Sequence, residues 1–191
     1  FEGYFSETMD SDLADGIAET VLKSVMKNLP IALKKPDNYS ARANLMADSS
    51  IACSGIPEYG KASTGWPCHA MEHELSAYYD ITHGVGLAIL TPRWMRYIVE
   101  KDPACKERFV KFAKNVMGLD GEDEDALIQH SIDDLEQFFK DCGIPSTLTE
   151  LNITDEYFEE MAKHANRNNR LANAYVPLTV EDIMNIYKNC L

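Results

Sequence analysis

Apolar residues recur at helical spacing along almost the whole chain, and helix start and stop residues bound each run. The first run begins after Ser11 and Asp12 and ends just before Pro30. Further runs extend from Ser40 to Ala52 and from Gly65 to Tyr79, and another starts at His83 and is kinked or ended by Pro92. Two more extend from Asp102 to Met117 and from Asp123 to Cys142. The last two extend from Asp155 to Asn166, after a Thr154 cap, and from Val180 to Asn189, after a Thr179 cap. No alternating strand pattern or dinucleotide-binding glycine fingerprint occurs. The sequence predicts an all-α fold of seven or eight helices, forming one domain over residues 1–191.

Charge and cysteine content narrow the class of protein. The chain has 18 Lys and Arg against 31 Asp and Glu, a net charge of −13, which argues against binding nucleic acid or an anionic membrane surface. Its 5 cysteines are odd in number and lack a Cys-x-x-Cys pair, as expected in a reducing compartment. No signal peptide and no apolar run of about 18 residues occurs. We therefore expect a cytoplasmic protein that binds neither nucleic acid nor membrane.

One window, residues 65–86, holds three of the five histidines. His69 and His73 are four residues apart and share a helix face, and His83 follows a predicted turn at the start of the next helix. Imidazoles that converge in this way suit zinc or ferrous iron. Histidines four residues apart are also common on helices that bind no metal, so spacing alone leaves both interpretations open.

Two glutamates, Glu72 and Glu74, flank His73 in the same window. Zinc proteases place a glutamate directly after the first histidine of such a pair, but Ala70 stands there. A metalloprotease would therefore lack its general base. We expect Glu72 and Glu74 to face solvent or to contact groups behind a metal ligand, and neither to be catalytic.

The window resembles the iron-containing alcohol dehydrogenase family. It shares the His-Ala-Met-x-His segment, the Leu-Ser-Ala-Tyr-Tyr-Asp stretch and a following His-Gly, and the separation of His69 and His83 matches the family's paired ligand histidines. Trp66 and the stretch 72–77 are typical of its butanol dehydrogenase branch. Weaker resemblance extends over most of the chain, including Phe1-Glu-Gly-Tyr-Phe, and fades beyond about Leu119.

The resemblance implies a particular place for this chain within a larger enzyme. Members of the family, like the related dehydroquinate synthases, have an N-terminal nucleotide-binding domain and a C-terminal helical domain that binds the metal. This chain resembles only the helical domain, and the family's first two ligands, an Asp and a His, would precede Phe1. We expect the 191 residues to fold but not to catalyse alone, and the full-length enzyme to be a homo-oligomer.

The resemblance also implies roles for residues. His69 and His83 would bind Fe²⁺ or Zn²⁺, which polarises the oxygen of a small alcohol or aldehyde, and NAD(H) or NADP(H), bound mainly by the missing domain, would exchange the hydride. The residues that contact this cofactor are unknown. His73 would relay a proton or position substrate, or be an ordinary hydrogen-bonded helix residue. Trp66 would line the substrate pocket, or be a core or interface aromatic.

Several positions remain open. Gly84 and Gly86 allow either a close backbone approach or simple helix packing. His130 and His164 lie outside the window and are expected to be solvated. A helical interaction module without catalysis is an alternative function. A glycerol dehydrogenase or dehydroquinate synthase-like protein is another, which the spacing of His69 and His83 disfavours.

Overall fold

The computed structural model describes residues 1–191 and contains eight α-helices, five short 3-10 helices and no strand, which confirms the all-α prediction. The α-helices are α1 (Asp12–Lys34), α2 (Tyr39–Cys53), α3 (Pro67–Tyr79), α4 (His83–Lys101), α5 (Lys106–Asn115), α6 (Glu124–Asp141), α7 (Phe158–Ala165) and α8 (Val180–Lys188). No helix is long and apolar enough to cross a membrane. All five cysteines are free thiols.

Polar caps fix where several helices begin. The side chains of Asn38 and Asp123 accept the backbone N–H groups of the third residues after them, at the starts of α2 and α6. Thr179 and Asp182 form a reciprocal capping box at the start of α8. The predicted starts at Asp123 and Thr179 are thus confirmed.

One predicted helix end and one predicted start were wrong. Pro30 lies inside α1 and does not end it, and of the two alternatives for Pro92, a kink or an end, the end is excluded because Pro92 lies inside α4. A proline removes one backbone hydrogen bond, but packing of a long helix against its neighbours can outweigh that loss. Helix α7 begins at Phe158 rather than Asp155, because Tyr79 donates to the Thr154 carbonyl and holds the preceding residues in a turn against α3.

The core lies among α3 to α8, while the α1–α2 hairpin is more exposed. Trp94, Met71 and Leu75 are completely buried, whereas α2 buries only Ala41. Helix α3 packs between α4 and α7. The helix that carries two of the window's histidines is therefore held on both sides by the core.

The first eight residues are anchored to this core by one buried arginine. Arg108 of α5 donates to the carbonyls of Ser6 and Thr8 and to the Asp15 carboxylate of α1. Asp15 also pairs with Lys61 and Lys111. Burial alone would raise the pKa of Asp15, but hydrogen bonds from its three cationic partners outweigh it and lower that pKa to about 2.

Candidate metal centre

The start of α3 is set by a tight backbone turn and by a carboxylate from another segment. Gly65 and Trp66 both have positive φ, 77° and 52°, and Pro67 follows at the first helical position. Trp66 supplies no side-chain cap. Instead the Glu2 carboxylate accepts the backbone N–H groups of Cys68 and His69, so a negative charge caps the helix N-terminus.

A left-handed residue at the end of α3 brings the three histidines together. Asp80 has φ 52°, and α4 begins three residues later at His83. The imidazole ring centres lie 5.3 Å apart for His69 and His83, 5.4 Å for His73 and His83, and 6.2 Å for His69 and His73. The predicted convergence of these rings from two helices is therefore present.

Two of the three imidazoles are held by buried carboxylates through the same ring nitrogen. Nδ1 of His69 bonds to Glu2, and Nδ1 of His83 bonds to Glu72. The side chains of Glu2 and Glu72 are 3% and 0% exposed, whereas those of His69 and His83 are 32% and 46% exposed. A neutral imidazole that donates from Nδ1 keeps its Nε2 lone pair free for a metal.

The donor set fits a divalent transition metal. Metal–nitrogen bonds of about 2.0–2.1 Å at a tetrahedral ion place two ligated imidazole centres about 5 Å apart, close to the 5.3 Å between His69 and His83. Both rings have the carboxylate partner that metal-binding histidines usually have. Two histidines leave positions for ligands from elsewhere.

A different triad, Glu72 with His73 and His83, also has potential ligand atoms within 4.8 Å of one another. However, the carboxylate of Glu72 is already bonded to Nδ1 of His83 and accepts a 2.6 Å hydrogen bond from Ser76. Of the two positions expected for Glu72, solvent or a contact behind a histidine, the structure shows the second. Glu74 is half-buried and lies 3.5 Å from the exposed His164.

Gly84 and Gly86 differ in the space around them, a difference that the sequence does not show. A Cβ at Gly86 would lie 2.7 Å from Glu72 Cγ, whereas one at Gly84 would have no atom within 4 Å. Gly86 thus admits the Glu72 side chain between α3 and α4. Gly84 borders a cavity instead.

This cavity has a volume of about 340 Å³ and lies between α1, α4 and the end of α6, with His69 and Gly84 in its wall. Most of its lining is apolar and includes Leu22, Val25, Leu87, Phe138 and Phe139. Trp66 is not in this lining. It contacts the His69 ring edge-on at 4.7 Å between ring centres and is 37% exposed.

Sequence reasoning identified the three clustered histidines but not Glu2. His130 and His164 are exposed, as predicted. The segment that contains Glu2 was noted for its resemblance, yet no spacing rule links a residue to a histidine 67 positions later. The signal available in the sequence was the acidic side chain of Glu2 within a segment rich in aromatic residues, which favour burial.

Comparison with known proteins shows the family of this chain. The model of the Fe-containing alcohol dehydrogenase family, C-terminal, matches residues 1–191. NADH-dependent butanol dehydrogenase A of Clostridium acetobutylicum is 46% identical over 190 residues, which cover 98% of this chain and 48% of that protein. Butanol dehydrogenase B of the same organism is 45% identical over 192 residues, with the same coverage.

Solved structures show the same fold. The crystal structure of NADH-dependent butanol dehydrogenase A from Thermotoga maritima superposes with a TM-score of 0.87 at 34% identity, over 98% of this chain and 48% of that one. The aldehyde reductase YqhD of Escherichia coli superposes with a TM-score of 0.90 at 24% identity, over 100% and 49%, and supports the fold.

These similarities define a metal-type alcohol dehydrogenase fold, of which this chain is the helical part. The chain belongs to the iron-containing alcohol dehydrogenase family. Within it, butanol dehydrogenases are among its most similar relatives. The chain spans about half the length of the curated relatives it matches.

Proposed function

We propose that the intact protein containing this chain is a nicotinamide-dependent alcohol dehydrogenase that interconverts primary alcohols such as butanol with their aldehydes. The observation that carries this proposal is the cluster of three imidazoles, two of them fixed through Nδ1 by buried carboxylates. The names of the most similar relatives support the same reaction.

His69 and His83 hold the metal through Nε2 in this proposal, together with ligands from outside the 191 residues. A bound divalent metal supplies Lewis acidity toward the substrate oxygen. We favour iron because of the family's name, with zinc as the alternative for the same donors. Glu2 and Glu72 keep the two imidazoles in the tautomer that presents Nε2.

His73 has a different role in this proposal. It is exposed, and unlike its two neighbours its ring has no buried carboxylate partner. Its ring centre lies 5.4 Å from that of His83. An imidazole free at both nitrogens beside the ligand pair can carry a proton to or from the substrate oxygen.

The surroundings of His69 suggest where the rest of the substrate binds. The apolar cavity of about 340 Å³ beside this ring fits a short hydrocarbon chain. Trp66 contacts His69 edge-on and lies outside this lining, and we propose that it borders the substrate. The nicotinamide supplies or accepts the hydride, and we propose NADH because the similar butanol dehydrogenases are named for it.

Assembly and location follow from the same resemblance. We propose that the helical domain packs against a nucleotide-binding domain of the same polypeptide and that the intact enzyme forms homo-oligomers. Five free thiols are consistent with the cytoplasm. Light scattering of the intact protein, which gives its mass in solution, tests the oligomeric state.

The test of function is butanal reduction by the intact protein with NADH and with NADPH, alongside metal analysis after dialysis. We expect turnover with NADH and about one Fe²⁺ or Zn²⁺ for each chain at a site of this type. His130→Ala, which changes an exposed histidine on α6, is the matched control for His69→Ala. A wild-type protein without metal or turnover would support the interaction module instead.

The 191-residue chain alone is expected to fold without catalysing. It has an extensive buried core, but two histidines leave most of a metal's coordination to water, so chelators should remove the ion easily. Stopped-flow and steady-state assays with butanal and NADH should detect no turnover near the roughly 1 per second of an ordinary enzyme. Turnover at that rate would show that the remaining part of the enzyme is dispensable.

A further inference from the structure

We infer that Glu72 is a positioning residue whose buried carboxylate fixes the tautomer and the orientation of the His83 ring, so that Nε2 faces the shared space of the histidine cluster. This inference rests on the proposed function, since it assigns His83 to the metal. The contact itself, between Nδ1 of His83 and Glu72, is present in the structure.

The carboxylate is held by more than its histidine. Ser76, one turn further along α3, donates a 2.6 Å hydrogen bond to Oε1 of Glu72, and its hydroxyl also lies 3.1 Å from the carbonyl of Ile81 in the turn before α4. The other oxygen, Oε2, contacts His83. Ser76 therefore joins the carboxylate to the turn that places His83.

Space for this arrangement comes from α4 itself. A Cβ at Gly86 would lie 2.7 Å from Cγ and 2.8 Å from Oε1 of Glu72, distances that real Cβ atoms do not show. Any larger residue at position 86 must displace the carboxylate. A side chain at position 86 is thus disfavoured by Glu72 and not by a left-handed backbone, since Gly86 has no positive φ.

The complete burial of Glu72 indicates that it positions His83 and does not itself bind the metal. The Glu72 side chain is 0% exposed, whereas the ring of His83 is 46% exposed and stands between the carboxylate and solvent. Both carboxylate oxygens already have partners. A carboxylate in that position restrains the rotation of the imidazole, and loss of such a partner usually lowers metal affinity about 10–100-fold.

The first measurement needs no metal. In intact, metal-free protein labelled with ¹⁵N-histidine, at about pH 8.5, where a free imidazole is neutral, nitrogen shifts distinguish Nδ1–H from Nε2–H. We expect the Nδ1–H form for His83, a shift toward Nε2–H in Glu72→Ala, and partial restoration in Glu72→Gln, whose carbonyl still accepts. Glu74→Gln on the same helix should change nothing. An Nε2–H form in the wild type, or no shift in Glu72→Ala, overturns the inference.

The second measurement is Zn²⁺ affinity by chelator competition. Glu72→Ala should weaken it about 10–100-fold and should add nothing in a His83→Ala background. An additive loss would make Glu72 a ligand and overturn the inference. If the tautomer shifts but His83→Ala leaves Zn²⁺ affinity unchanged, the metal centre proposed above is contradicted and the assigned hydrogen bond is supported.

A glycine pair provides a second route that removes no polar group. Gly86→Ala should reproduce the tautomer shift and the loss of Zn²⁺ affinity, because its Cβ displaces Glu72. Gly84→Ala, two residues away on the same helix, adds a Cβ that meets no atom within 4 Å and should leave both readouts unchanged. Equal behaviour of the two variants would contradict the inference, and thermal melts confirm that each is folded.

Discussion

The Glu2–His69 and Glu72–His83 pairs have the same chemistry but are built in different ways. The first joins residues 67 positions apart and depends on where the N-terminal segment is anchored. The second joins residues 11 positions apart, across one turn between α3 and α4. One candidate metal centre therefore depends on both tertiary and local structure, and changes far from the histidines should disturb the first pair while leaving the second intact.

The largest effect should come from removing either imidazole in the intact enzyme. His69→Ala and His83→Ala should each lower butanal turnover by more than the roughly 100-fold associated with losing an outer partner, and should weaken metal retention. The reason is that each change removes a direct donor to the ion. Metal content after dialysis and turnover check this. Full occupancy and unaltered turnover in either variant would rule out that ligand.

Removing His73 should lower turnover less than removing His69 or His83 and should leave the metal bound. His73→Ala should keep its metal and lower turnover about a hundredfold, the usual contribution of a general acid–base group, or shift the pH profile of turnover. His73 lacks the buried carboxylate partner that His69 and His83 have, so its removal should not weaken metal binding as theirs does. Metal loss equal to that of His69→Ala would instead identify His73 as a ligand, and unchanged kinetics would indicate an ordinary helix residue.

The two pairs differ in how much stability their carboxylates should provide. Glu2 also accepts two backbone N–H groups at the start of α3, whereas Glu72 accepts one side-chain hydroxyl besides its histidine. Glu2→Gln turns one acceptor oxygen into an N–H donor and should therefore cost about 0.5–2 kcal/mol of unfolding free energy, the range for losing a helix-cap bond, with Zn²⁺ affinity about tenfold weaker. Urea unfolding and chelator competition measure both. A smaller stability loss than in Glu72→Gln would contradict this comparison.

The same difference explains what sequence could predict. Helical spacing and caps predicted α3 and α4, and the four-residue step between His69 and His73 predicted a shared face. Glu72 was within reach of the same reasoning, because it lies beside His73 on α3 and a single turn separates α3 from His83. Glu2 was not, since its position depends on Arg108, which anchors the chain after it, and on Tyr4, whose hydroxyl donates to Glu19.

The predicted end of α1 failed for a related reason. Pro30 is a strong local stop signal, but packing against other helices keeps α1 continuous through it, as it keeps α4 continuous through Pro92. The cavity beside His69 combines residues from α1, α4 and α6, so no single stretch of sequence could show it. Local sequence patterns predicted helices and the shared face of His69 and His73. Contacts between distant segments determined the position of Glu2, the continuity of α1 and α4, and the cavity.

The most indirect expected effect reaches the Glu2–His69 pair from a distance, through Asp15. Its pKa is about 2 in the folded chain, below the value of 3.8 for a free side chain, so ionised Asp15 favours the fold. That stabilisation is complete above about pH 5 and is lost as the pH falls toward 2, and it amounts to about 2 kcal/mol. On acidification, Asp15→Asn should lose about this much less unfolding free energy than the wild type.

Asp182 provides the matched control for this last prediction. Its pKa is also about 2, because hydrogen bonds from Lys101, Thr179 and Tyr97 outweigh a burial effect that would raise it. Lys101 lies at the opposite end of α4 from His83. Asp182→Asn should reduce the acid dependence of stability similarly, yet only Asp15→Asn should speed hydrogen exchange at the Cys68 and His69 amides, which Glu2 caps. Equal exchange in both variants would show that the anchoring of the N-terminal segment does not control the Glu2–His69 pair.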